Sequence, residues 1–73
     1  MIRTVSLQEK AEAQIRAATY GAITGADCKF SEGVLFLRGQ VRSFYSKQLA
    51  QEAVGQLPGV VDIVNQIEVV TVQ

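Results

Sequence analysis

Histidine and tryptophan are absent from this sequence, and cysteine, proline and methionine each occur once. The missing histidine removes the commonest general base and the commonest metal ligand. A single cysteine, Cys28, can form no internal disulfide and no zinc cage. An excess of charge of either sign is also lacking: seven basic residues cancel seven acidic ones, which argues against generic binding to nucleic acid. No apolar run approaches the ~20 residues that span a bilayer. The carboxylates Glu9, Glu12, Glu32, Glu52, Asp62 and Glu68 show no paired arrangement, and no phosphate loop or nucleophile motif is present. The expectation is a non-enzymatic protein with no catalytic residue, no metal and no cofactor.

What remains is ordinary for a globular protein: 73 residues, 48% apolar and 19% charged. That length makes one domain, residues 1–73 with a core of about 6–70, because smaller pieces would bury too little surface. Ser6 followed by Glu9 has the spacing of a capping box. Leu7, Ala11, Ile15 and Ala18 then recur at helical spacing, predicting an amphipathic helix that ends near Gly21. Gly21 to Gly25 reads as a loop or frayed lead-in. Cys28 and Phe30 alternate with Asp27, Lys29 and Ser31, which predicts a short strand. Ser31-Glu32-Gly33 is a turn, with Gly33 supplying positive φ.

The strongest signal is the next strand, Val34 to Val41. Leu35, Leu37 and Val41 share one face with Gly39, where another element could approach closely. Val34, Phe36, Arg38 and Gln40 share the other. Ser43 caps a second helix to about Gln56, with Leu49, Ala50, Ala53, Val54 and Leu57 inward. Pro58-Gly59 ends it. Val60 to Val70 reads as one further strand, with Ile63, Asn65, Ile67 and Val69 on one side. A helix between two strands implies that they run parallel. The predicted fold is an α/β (α+β two-layer) sandwich of order α-β-β-α-β, with two helices on one face of a three-stranded mixed sheet.

Two blocks of this pattern resemble the BON domain of bacterial proteins. One is Gly33-Val34-Leu35-Phe36-Leu37-Arg38-Gly39-Gln40-Val41, and the other runs from Leu57-Pro58-Gly59 through Asn65-Gln66-Ile67-Glu68-Val69. The resemblance spans about Ser6 to Val69. It implies a non-catalytic module that attaches to phospholipid membranes or mediates assembly, often in the periplasm or envelope and often in tandem. This chain carries one copy. Its opening residues show no secretory signal, so a native start at Met1 implies the cytoplasm, whereas excision from a longer protein implies the envelope.

Charge is uneven along the chain despite its zero sum. Arg38, Arg42 and Lys47 give residues 38–47 a charge of +3, and Glu52, Asp62 and Glu68 give residues 48–73 a charge of −3. The basic stretch surrounds the start of the second helix, where free N–H groups favour an anion. Arg38, Arg42, Ser43, Phe44, Tyr45 and Lys47 are therefore candidates for a phosphate headgroup or an acidic partner, with Phe44 and Tyr45 able to enter a lipid interface. The bland alternative is a solvated turn with one aromatic folded onto the core. Val34, Phe36 and Val64, on the face away from the helices, are candidates for self-association or for a protein partner. RNA binding is a third class, resting on element order alone. Gly33, Gly39, Gly59 and Asn65 are read as structural, and Cys28 as a small core residue.

Overall fold

The structure, a computed structural model, describes residues 6–70. The elements follow the predicted order: α1 (Leu7–Ala18), β1 (Thr24–Ser31), β2 (Val34–Val41), α2 (Phe44–Val54), β3 (Asp62–Asn65) and β4 (Glu68–Val69). Residues 1–5, which carry the reading of a polar lead-in without an export signal, lie outside the described residues. β2 is the central strand. It pairs antiparallel with β1 and parallel with both β3 and β4.

Each element begins and ends for a local reason. Ser6 accepts the Glu9 amide at 3.1 Å, and Ser43 accepts the Ser46 amide at 3.1 Å, so both helices start on a serine cap. The β1–β2 hairpin turns on two residues of positive φ, Glu32 at 50° and Gly33 at 84°, as a type I′ turn requires. Ala11, Ile15, Cys28, Leu35, Leu37, Val41, Ala50, Val54 and Ile67 are buried between the helices and the sheet. Gly39 leaves room for Ile23: a Cβ there would come within 3.0 Å of the Ile23 Cδ1.

Two expectations need correction. β1 begins at Thr24, inside the stretch read as a loop. The reason is a β-bulge: Thr24 pairs with Gln40 and Asp27 with Arg38, so β1 carries one residue more than β2 there. Gly25, at φ 66°, supplies the left-handed residue that such a bulge uses. The segment read as one strand from Val60 to Val70 is two, because Gln66 and Ile67 interrupt it. There the Asn65 Oδ1 accepts the Ile67 amide at 3.1 Å, satisfying a donor locally. The register of both pieces along β2 is nevertheless continuous.

On both edges of the sheet, side-chain acceptors take some of the outward amides. On β1, the Cys28 amide donates to the Glu12 carboxylate and the Phe30 amide to the Gln8 carbonyl oxygen, each at 3.2 Å. Residues four apart on a helix rise ~6 Å and alternate residues on a strand ~6.8 Å, so one turn of α1 matches one repeat of the edge. On the opposite edge the Ile63 amide donates to Asp62 Oδ1 at 2.9 Å, and Ile67 is held by Asn65 as above.

Candidate functional site

The end of the molecule beyond the last residue of β2 collects most of the exposed large apolar side chains. Thr24 pairs with Gln40, and Val69 with Val41, so the turn out of α1, the start of α2 and the end of β4 all meet there. Tyr20, Phe44, Tyr45 and Val70 are exposed by 94%, 76%, 70% and 39% respectively. Arg42, two residues before Phe44 in the chain, lines a depression of about 170 Å³ with Ala22, Thr24, Gln40, Val41 and Val70.

Tyr20 is held there at a cost. The Gly21 amide donates to the Arg16 carbonyl at 2.8 Å and the Tyr20 amide to the Ala17 carbonyl at 3.2 Å, which is the Schellman pattern closing a helix. The motif places Tyr20 at the left-handed position, φ 55°, where glycine is usual and a bulky side chain is an outlier. Beneath it, the Thr19 hydroxyl donates to the Ile15 carbonyl at 2.8 Å and is buried. An aromatic ring therefore stands in solvent on a strained residue, anchored by a satisfied helix end. Sequence reasoning missed Tyr20 because Gly21, one position later, carried the expected stop signal.

The structure distributes the three cations of the basic stretch. Arg42 lines the depression at the tip, Arg38 a trough on the open sheet face, and Lys47 a third depression with Phe44, Gln51 and Asn65. Among the described residues no ion pair engages any of the three. Ser43 is occupied in capping: its hydroxyl also meets the Ser46 hydroxyl at 3.1 Å. Neither Phe44 nor Tyr45 folds onto the core, so the expected stapled aromatic is absent, while residues 42–45 do form an exposed turn into α2.

The second candidate surface is the sheet face away from the helices. Register places Lys29, Phe36 and Val64 in one row across it, and Ser31, Val34 and Asp62 in the next. Val34 and Phe36 are half-buried and Val64 is 36% exposed. Asp27 and Arg38 form the row beyond, so the apolar trio is small and bordered by charge. Asn65 is fully employed: its Nδ2 donates to the Lys47 carbonyl at 3.3 Å and to Gln51 Oε1 at 3.2 Å, tying α2 to the break between β3 and β4. The Cys28 thiol is buried, and its pKa is pushed up to about 11, first by burial and then by Glu12 and Asp27, with Arg16 opposing. A thiol so held is a poor nucleophile near neutrality. Among the described residues no group of His, Cys, Asp and Glu could hold a metal ion, and no helix is long and apolar enough to cross a membrane.

A family model described as the BON domain matches residues 3–71, nearly the whole chain. No curated protein matches the sequence.

Proposed function

Starting from the fact that the chain belongs to the BON domain family, a family of small non-catalytic binding modules, we propose that it attaches to anionic phospholipid surfaces by its aromatic tip. The observation that carries this reading is the exposure of Phe44 and Tyr45 beside Arg42 in the chain, with Tyr20 exposed on the turn out of α1. Aromatic side chains with a polar end favour the boundary between headgroups and acyl chains. A basic residue among them gains roughly 1 kcal/mol beside an anionic leaflet. Tyr20 adds weight because its backbone is strained and its ring gains nothing from the core. Strain of this kind persists where the residue serves something other than stability.

The test is co-sedimentation with vesicles of neutral lipid alone and of neutral lipid with an anionic fraction. The anionic vesicles should bind the protein, and the binding should fall as salt rises. Replacing Phe44 and Tyr45 together by serine should weaken it by about tenfold or more, from the apolar area withdrawn from the interface. Both residues are exposed, so the thermal midpoint should hardly move. Equal binding to neutral and anionic vesicles, or unchanged binding by the double variant, would rule the reading out.

A further inference from the structure

A polar trough lies on the open face of the sheet, next to the depression at the tip. The bulge in β1 and the break between β3 and β4 flank the same residues of β2, Arg38 to Gln40. With both neighbouring strands irregular at one level, the face sinks into a trough of about 450 Å³. Its floor and walls carry Thr24, Asp27, Arg38, Gln40, Gln66 and Glu68, with no aromatic and no aliphatic side chain. Thr24 and Gln40 also line the depression at the tip, so the trough opens toward it.

We propose that this trough binds the ethanolamine phosphate headgroup of a phospholipid, with the phosphate on Arg38 and the ammonium on Asp27 or Glu68. The charges select the ligand. Arg38 repels a simple cation, and two carboxylates repel a simple anion, whereas a zwitterion satisfies both signs. Asp27 is the direct cross-strand neighbour of Arg38, about 5 Å away between backbones, yet no ion pair joins them among the described residues. Such an exposed pair would contribute little in any case, so a ligand loses little by separating the two. The guanidinium can meet a phosphate with two parallel N–H donors. A primary ammonium has three hydrogens for the carboxylate and for the amide and hydroxyl oxygens of Gln40, Gln66 and Thr24. A quaternary choline has none and is recognised by aromatic cages, which the trough lacks. The source is a lipid because the trough continues into the tip, and to that extent the inference rests on the tip reading.

Two measurements separate the inference from that reading. In the first, glycerophosphoethanolamine is titrated into the isotope-labelled chain, with glycerophosphocholine as control. The expected result is amide shifts centred on Asp27, Arg38, Gln66 and Glu68, several-fold weaker with the choline compound. In the second, vesicles of equal anionic fraction are compared with phosphatidylethanolamine or phosphatidylcholine as the remainder. Binding should be roughly threefold tighter with ethanolamine lipid, and Arg38→Gln or Asp27→Asn should bring that ratio to one, whatever each change of charge does to the absolute affinity for anionic vesicles. No preference between the headgroups, or a preference that survives Arg38→Gln, overturns the trough and leaves the tip standing. Shifts with the soluble compound but no binding to any vesicle overturn the lipid source and the tip together.

Discussion

The two ends of the central strand differ in one instructive way. Each carries a non-glycine residue at positive φ, Glu32 at the hairpin and Tyr20 at the tip, and the described chain has no others. At the hairpin the geometry is imposed by the turn, since a type I′ connection between β1 and β2 needs both central residues left-handed. Gly33 meets that need and Glu32 merely tolerates it. At the tip the helix end would close equally well around glycine, and tyrosine gains no buried contact in exchange. Strain at one end is a by-product of the turn, while at the other it holds an exposed aromatic ring.

Substitutions can break that comparison. The largest effect should come from Leu37, which lies between the ends and is fully buried. Leu37→Ala should cost about 2–5 kcal/mol in denaturant unfolding, because neighbours on both layers cannot collapse into the cavity. A cost below about 1 kcal/mol would mean that the two ends are not joined by one core. Cys28, on the neighbouring strand and paired with Leu37 in register, makes the same point through pH. The unfolded thiol ionises near its ordinary value of 9.0, while the folded one resists until about 11. The stability held by the neutral thiol is therefore complete below pH ~9 and is lost as pH rises toward ~11. The melting temperature should fall across that window in the native chain, and fall less in Cys28→Ala.

Smaller effects distinguish the ends themselves. Tyr20→Gly should raise stability by about 1 kcal/mol through relief of the left-handed strain, and should at the same time weaken vesicle binding. Glu32→Asn should also stabilise, by about 0.5 kcal/mol, since asparagine suits the first position of a type I′ turn. It should leave vesicle binding unchanged. If both substitutions stabilise and neither alters binding, the two ends are equivalent and the tip loses its special status.

Much of the fold was legible because side-chain alternation survives almost everything that happens here. Leu35, Leu37, Gly39 and Val41 announced the inner face of β2, and the helix between two apolar strands announced a parallel pair. The same persistence hid the break at Gln66 and Ile67. Alternation reports which face a residue occupies, and Ile67 stays buried although its amide turns to the Asn65 side chain. The bulge was hidden for the opposite reason: an extra residue at Gly25 destroys the alternation that would have revealed Thr24 as strand. Of the tip, Arg42, Phe44 and Tyr45 were visible as a run in sequence. Tyr20 was not, because its exposure and its left-handed backbone depend on where α1 stops. Arg38 and Lys47 were grouped with Arg42 by sequence distance, whereas a strand followed by a helix sends the three side chains toward different depressions.

The partly occupied edges of the sheet bear on what happens when many copies gather. A protein confined to a surface reaches local concentrations far above those in solution, and an open strand would then recruit its neighbours into a growing ribbon. Here Gln8 and Glu12 stand along one border and Asp62 and Asn65 along the other, so two copies meeting side by side find those donors already taken. Ribbon growth through those four amides is thereby blocked.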